Sequence, residues 1–384
     1  MSKVIGIKNV SEFKEYLMTL SSNVVKPAFG EGNFVLYFDK GYMVVYARGN
    51  GNFGYFLVEV DNRWSSPAYF VPQCLMTKII GLIPNDKPAS LEITEDGMLV
   101  VHSGKDMSFS MRIGDAGPKP KFNNIPDATV EFSMNPEEVQ AIQQKICCCA
   151  TNAFDLNTDG VGLIIKNGKA TVNTTDKYSL ASMELSQLKI STNKDIQIAT
   201  PIAAWNANLS LYNESIHYKI ANQFFIVRGN KFSYLFNNFD ASLPPYQTVI
   251  QRCAGYTHKI TVSKNEFQTA LKGLRVMACA ATNAIEIHFL KNELVLYTED
   301  KELGSIKMHV PYSSNKSNEL DGKVVGFAFD YLHKGVKASD ENVNILLSDP
   351  ASDNFAVSPI KFITGSNSLM IASPVRLNEV HNIN

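Results

Sequence analysis

The densest cluster of nucleophilic or metal-ligating side chains in the sequence is Cys147-Cys148-Cys149. Adjacent side chains on a helix point about 100° apart, so three in a row cannot converge on one metal ion. No Cys-x-x-Cys occurs, and His102, His217, His258, His288, His309, His333 and His381 show no His-x-x-x-His spacing. Six cysteines in 384 residues are too sparse for a disulfide framework, so they are expected to be reduced and structural. No metal and no cofactor is therefore expected.

Gly49-Asn50-Gly51-Asn52-Phe53-Gly54 has the spacing of a dinucleotide loop. That loop needs a helix after it, because the helix N-terminus holds the pyrophosphate. Here Tyr55-Phe56-Leu57-Val58-Glu59-Val60 follows, which reads as a strand, so a hairpin turn is expected. There is no G-x-x-x-x-G-K-[ST], no G-x-S-x-G and no H-E-x-x-H. Acidic pairs such as Glu137-Glu138 fall in first helical turns, where they complement the helix dipole. No nucleophile, base and oxyanion donor come together, so the chain is not expected to be an enzyme.

Basic residues are the remaining chemistry. Six segments carry apolar residues at helical spacing. Ser11 precedes Phe13, Leu17 and Leu20; Pro72 precedes Leu75, Ile79 and Leu82; Asn135-Pro136 precedes Val139, Ile142 and Ile146. Thr200-Pro201 precedes Ile202, Trp205 and Leu209; Ser263 and Glu266 form a capping box before Phe267, Leu271 and Leu274; Asp330 precedes Leu332 and Val336. With the apolar stripes inward, the opposite faces present Lys14, Lys78, Lys145, Lys264, Lys272, Arg275, Lys334 and Lys337. Repeat symmetry that put these faces on one surface would make a field for phosphates without base readout.

A repeat is visible. Ala150-Thr151-Asn152-Ala153 recurs as Ala281-Thr282-Asn283-Ala284. Around both copies the order is a short strand, a capped helix and alternating strands, and four weaker copies bring the total to six half-units of roughly 55–70 residues. Hairpin turns are marked by Asp39-Lys40-Gly41, Asp96-Gly97 and Asn167-Gly168. Two half-units together can close a core that neither closes alone. Domains are placed at 1–127, 128–252 and 253–384, with Pro118, Pro120 and Pro126 in the first linker and Pro244-Pro245 before the second boundary.

Composition bounds these readings. Apolar residues make up 45%, aromatic 10% and charged 19%, which excludes disorder. Lys+Arg is 36 against Asp+Glu 37, so the chain is no uniformly basic nucleic-acid binder, although a basic side remains open. The Val4-Ile5-Gly6-Ile7 stretch is too short for a signal core, and no run of about 18 apolar residues occurs, so the chain reads as cytosolic.

Four motifs give the repeat a family. Thr174-Thr175-Asp176-Lys177-Tyr178-Ser179-Leu180-Ala181 is similar to Ala-Thr-Asp-Gly-His-Arg-Leu-Ala, and Leu243-Pro244-Pro245-Tyr246-Gln247-Thr248-Val249 to Phe-Pro-Asp-Tyr-Arg-Arg-Val. Val325-Gly326-Phe327-Ala328-Phe329-Asp330-Tyr331-Leu332 is similar to Phe-Asn-x-x-Tyr-Leu, and Ile371-Ala372-Ser373-Pro374-Val375-Arg376-Leu377 to Val-Met-Pro-Met-Arg-Leu. In this order the chain resembles the bacterial-type β sliding clamp, the β subunit of DNA polymerase III.

The resemblance implies an α+β clamp fold of three repeated domains, with antiparallel sheets outside and helices lining the inner face of a ring. Two subunits would pair head to tail around double-stranded DNA, held without sequence preference. Polymerase and clamp-loader peptides would enter a cleft between the second and third domains. The residues matching that cleft are Leu156, Thr175, Lys177, Tyr178, Leu180, Pro244, Val249, Ile371, Pro374, Val375 and Arg376. Lys26 matches a basic loop that contacts DNA.

The departures are those of a divergent, phage-like clamp. Lys177-Tyr178-Ser179 adds bulk and moves a charge, and Ser373-Pro374-Val375 lacks two adaptable methionines. Asn378 to Asn384 extend past the usual terminal leucine, toward the cleft on this reading. The alternative from the residues alone is a non-catalytic, β-rich binding or structural protein, such as a virion component.

Overall fold

The structure, a computed structural model, describes residues 3–24, 32–49, 51–120, 128, 130–150, 160–185, 188, 190, 195–207, 215–221, 223–238, 242–277, 283–300, 302–377, 380, 381 and 383. It is α+β, with short helices on antiparallel sheets.

The strands run β1 Lys3–Ile7, β2 Asn33–Asp39, β3 Tyr42–Gly49, β4 Asn52–Glu59, β5 Tyr69–Pro72, β6 Ala89–Ile93, β7 Met98–Ser103, β8 Met107–Arg112 and β9 Gly114–Asp115. Next come β10 Val130–Met134, β11 Gly160–Lys166, β12 Lys169–Thr175, β13 Ser179–Leu185, β14 Ile196–Pro201, β15 Ile216–Ala221, β16 Phe224–Arg228 and β17 Phe232–Asn237. The last are β18 His258–Ser263, β19 Ala284–Leu290, β20 Glu293–Asp300, β21 Gly304–Ser314, β22 Val324–Ala328, β23 Asn342–Leu347, β24 Ile360–Ile363 and β25 Ser368–Ala372. The α-helices are α1 Val10–Thr19, α2 Gln73–Leu82, α3 Pro136–Lys145, α4 Ile202–Asn206, α5 Tyr246–Arg252, α6 Lys264–Leu274, α7 Ser317–Leu320 and α8 Phe329–Ala338.

The order strand, helix, three strands recurs six times along this list, beginning at β1, β5, β10, β14, β18 and β22. Half-units then trade first strands in pairs. β1 joins β6 and β5 joins β2; β10 joins β15 and β14 joins β11; β18 joins β23 and β22 joins β19. A single half-unit leaves its sheet one strand short, and its neighbour supplies it.

The chain divides into two compact groups. One holds Met1–Gln140, Leu188–Asn193 and Thr200–Asp240; the other holds Ala141–Gln187, Lys194–Ala199 and Ala241–Asn384. In the first group β1-β6-β7-β8 form one sheet, and a nine-stranded sheet runs β10-β15-β16-β17-β4-β3-β2-β5-β9. The helix α1 packs Phe13, Tyr16 and Leu17 inward, with the Tyr16 ring stacked 5.2 Å from Phe56 on β4 and 6.0 Å from Phe232 on β17. It therefore covers the seam where β4 meets β17.

The Gly49-to-Gly54 motif is the β3–β4 hairpin, as its sequence implied. Gly51 turns it with φ +77°, and Gly54 lies opposite Tyr234 across the seam. A Cβ on Gly54 would come within 2.6 Å of the Tyr234 ring.

In the second group a twelve-stranded sheet runs β14-β11-β12-β13-β25-β24-β23-β18-β21-β20-β19-β22. The helix α6 buries Phe267, Leu271 and Leu274, and α8 buries Phe329, Leu332 and Val336. Gly335 lets α8 lie close, since a Cβ there would meet the Phe362 ring at 2.6 Å.

Several local expectations are corrected. Asn9 caps α1: its Oδ1 accepts the Glu12 N–H at 3.0 Å, which places Ser11 inside the first turn. The capping box with both halves formed belongs to Asn135 and Glu138, at 2.8 and 2.9 Å, whereas Ser263 only accepts from Glu266 N at 3.5 Å. The described part of the helix after Pro201 spans five residues. Two helices were not anticipated: α5, because Pro244-Pro245 reads as a linker, and α7, which is four residues long. The repeated tetrapeptides lie largely outside the described residues.

The C-terminal residues also differ from expectation. His381 and Ile383 sit at β19–β21 instead of the cleft. His381 Nδ1 is 2.6 Å from Glu286 Oε1, its Nε2 is 2.8 Å from Glu299 Oε2, and its backbone N–H donates to Glu286 Oε2 at 3.2 Å. Carboxylates only accept, so the imidazolium form satisfies both contacts. His288 Nε2 holds the same buried Glu286 at 2.9 Å, and Lys307 donates to the Ile383 carbonyl. His381→Ala should therefore lower stability by about 1–2 kcal/mol in denaturant unfolding and speed hydrogen exchange of the backbone N–H at position 381. Unchanged exchange there would show that this contact does not hold the segment.

Candidate functional site

The motif around Asp176 is a turn tightly determined by its own polar groups. Asp176 Oδ1 accepts the N–H groups of Tyr178 at 3.1 Å and Ser179 at 2.6 Å. Thr175 Oγ1 donates to the Ser179 carbonyl at 2.7 Å and accepts from Lys177 N at 3.2 Å. The result places Lys177 at φ +78°, the left-handed region that glycine adopts more readily. The other Asp176 oxygen takes the Lys334 ammonium of α8 at 2.6 Å. Burial by itself would lower the Lys334 pKa, but the hydrogen bond and charge of Asp176 outweigh it and the net shift is upward. Tyr178, 60% exposed, stacks on Tyr331 of α8 at 6.0 Å. The turn is thus fastened to α8 twice.

Beside it runs β25. Leu180 pairs with Ile371, and Ile371 pairs in turn with Lys361 on β24. Leu180, 4% exposed, is packed with Tyr246, Cys253 and Ile371, and Val249 and Leu243 close around them. Burial pushes the Tyr246 phenol up to about 12, so it stays neutral. Gly162 makes room for that ring, because a Cβ there would come within 2.8 Å of it. Past β25, Ser373 N donates to the Tyr178 carbonyl at 2.8 Å and Val375 N to the Gly326 carbonyl at 2.9 Å.

These pieces enclose a cleft of about 490 Å³. Of the residues expected there, Lys177, Val249, Ile371, Pro374, Val375 and Arg376 line it. Thr175 and Tyr178 belong to the turn, Leu180 to the packed floor, and Pro244 precedes α5. Leu156 lies outside the described residues. Arg252, Val357, Pro359 and Ser373 also line the cleft and were missed. Arg252 ends α5, whose helical character the two prolines concealed, and Val357 and Pro359 lie outside all four motifs.

The basic residues separate by what they touch. Lys14 donates to the Ile83 carbonyl; Lys145 reaches Asp340 at 2.7 Å and the Thr364 carbonyl at 2.6 Å. Lys264 bridges to the carbonyls of Lys337, at 3.1 Å, and Ser339. Lys334 is held by Asp176. Lys78, Lys272 and Lys337 are exposed and have no ion-pair partner among the described residues, and the exposed Arg275 lies 6.0 Å over the Phe329 ring. Lys26 lies outside the described residues. His333 shares this neighbourhood: burial, then the charges of Lys337 and Arg275, hold its pKa below the ordinary value.

The cysteine triplet is packed as a short 3-10 turn after α3. Cys147 and Cys149 are buried and both thiols are pushed up, Cys147 by burial and Cys149 by its hydrogen bond with Cys148 and by burial. No group of three metal-ligating side chains is found among the described residues.

No protein-family model matches the sequence, and no curated protein does. Solved structures of like fold are found. The chain superimposes on the DNA polymerase III β subunit of Thermotoga maritima with TM-score 0.78 at 18% identity, covering 98% of this chain and 100% of that one. For the sliding clamp of Bartonella birtlesii bound to griselimycin the values are 0.78 and 16%, and for the Helicobacter pylori β clamp bound to a DNA ligase peptide 0.75 and 17%, with the same coverage. The protein therefore has the sliding-clamp fold over its length.

Two measurements test this geometry. Asp176→Ala leaves Lys334 partly buried without its partner and frees two backbone donors, so unfolding stability should fall by about 2 kcal/mol. A loss below a few tenths would mean the turn holds itself. By NMR, His333 should titrate below a free imidazole. Its neutral form is favoured in the fold, so its contribution to stability is present above the unfolded value and lost as pH falls through the folded one.

Proposed function

We propose that this protein is a DNA sliding clamp: a non-catalytic processivity factor that closes as a head-to-tail homodimer around duplex DNA and tethers polymerase and clamp loader through the cleft at β25. One observation carries the reading. The sheets contain the same junction twice: β4 pairs with β17, and β13 pairs with β25. Each joins the third meander strand of a first half-unit to the last strand of a second half-unit. The third instance is left open. Among the described residues β8 has no strand on its outer side, and β21 from Gly304 to Pro311 pairs only with β20.

An open edge of this length is costly in a lone chain, because its N–H and C=O groups template pairing. A second copy offers β8 to β21 and β21 to β8. Repeated once more, the junction closes on itself, which is what separates a ring from a filament. The three pairs of half-units, 1–127, 128–252 and 253–384, then serve as three domains per subunit.

Lys78, Lys272, Arg275 and Lys337 supply exposed cations for phosphates. Their contacts carry no base readout and need only be weak, since enclosure provides retention. Lys14, Lys145, Lys264 and Lys334 are engaged within the chain and shape that surface more than they bind to it. The cleft offers an apolar floor to short peptide segments. The DNA ligase peptide on the Helicobacter clamp supports this kind of partner. No cofactor enters, and the proposed place of action is DNA in the cytoplasm.

The mass in solution should be twice 42.5 kDa, and loaded protein should stay on nicked circular DNA but leave linear DNA. A monomer at micromolar concentration overturns the ring and favours a non-catalytic binding or structural protein. Lys272→Glu with Arg275→Glu should weaken retention mainly at low salt; equal loss at all salts means misfolding. Leu180 is floor, so a charge there would unfold the site. Val249→Asp, at the lining, should abolish polymerase stimulation while the dimer persists. Stimulation surviving in folded Val249→Asp would rule out the cleft.

A further inference from the structure

Among the described residues the cleft is apolar in its floor and one-signed in its charge. Lys177, Arg252 and Arg376 are among its described lining residues, and no aspartate or glutamate is among them. Lys361 adds a fourth cation, directly across the β24–β25 ladder from Ile371. The charges of Lys361 and Arg252 both reach the Cys253 thiol beneath the floor and oppose the rise that burial causes. The carboxylate nearest in sequence, Asp176, is only 7% exposed and is committed to Lys334 and to two backbone N–H groups. The chain as a whole carries a net charge of −1, so this concentration of positive charge is local.

We propose that the cleft selects peptide segments in which one or two aliphatic side chains are flanked by aspartate or glutamate. This rests on the peptide-cleft reading above and adds the chemistry of the partner. The aliphatic side chains would bury against Val249, Ile371 and Val375. The flanking carboxylates would lie at the rim near Arg252 and Arg376, both exposed and without an ion-pair partner among the described residues. Arginine suits this task because its planar fork meets a carboxylate through two hydrogen bonds. Rim charges of this kind steer encounter and discriminate between partners more than they add raw affinity. Neutral or basic segments with the same apolar core would face uncompensated cations in the same place, which is how a cleft with a generic floor gains selectivity.

A nucleic acid would also answer to positive charge. The lining argues for peptide: valine, isoleucine and proline side chains face the cleft, Tyr246 is buried beneath them, and none of the described lining residues is an aromatic that could stack a base.

The test is fluorescence anisotropy on the full chain with three labelled peptides. They share a Leu-Leu core and carry Asp, Asn or Lys flanks, as in Gly-Asp-Asp-Leu-Leu-Asp-Gly. The Asp peptide should bind about tenfold tighter than the Asn peptide and the Lys peptide weakest, with the spread shrinking as salt is raised. In Arg252→Glu with Arg376→Glu, both exposed positions, the order of Asp and Lys peptides should reverse. Equal binding of all three overturns the charge selection while the cleft reading stands. Absence of binding by any of them up to about millimolar, or binding that Val249→Asp leaves unchanged, removes the cleft reading and the selection with it. Displacement of the Asp peptide by an equal concentration of a short thymidine oligonucleotide overturns the peptide assignment.

Discussion

Backbone groups at strand edges are the constraint on which this structure turns. A half-unit of strand, helix and three strands leaves N–H and C=O groups unpaired on both sides of its small sheet. The chain answers in two ways. Paired half-units exchange first strands, and last strands meet third strands at β4–β17 and β13–β25. At β4–β17 a glycine makes the seam possible: Gly54 admits the Tyr234 ring, and α1 covers the joint with Phe13 and Tyr16. With two of three such edges satisfied internally, the third pair becomes a statement about assembly, and the proposed homodimer follows from the same rule that builds the interior.

The cleft and α8 are joined by the same economy of groups. Asp176 organises the turn, positions Lys177 in an unusual backbone conformation and neutralises Lys334. One carboxylate thereby shapes the rim of the cleft and pairs a cation on the helix that also carries Lys337. In the proposed clamp, peptide and phosphate surfaces would then share a support, and the exposed cations at α6 and α8 are Lys272, Arg275 and Lys337.

Much of this was legible beforehand. The sixfold order, the hairpins at Lys40-Gly41, Asn167-Gly168 and Asp96-Gly97, and the rejection of the glycine motif as a nucleotide loop rest on local rules: apolar period, positive φ and helix caps. What misled was also local. Pro244-Pro245 reads as a linker and hid α5 with Arg252. Lysines on a polar helix face look alike in sequence whether they are free, as Lys272 is of ion pairs among the described residues, or committed, as Lys145 is to Asp340.

The sequence by itself determined the strand-helix-meander order of the half-units and that they come in repeats, because those depend on neighbours a few residues apart. Only the tertiary structure decided which edges are filled, which lysines are engaged, and where the chain end lies. Those depend on partners such as Lys334 and Asp176, or His381 and Glu286, that are distant along the chain and meet only when the sheets are assembled.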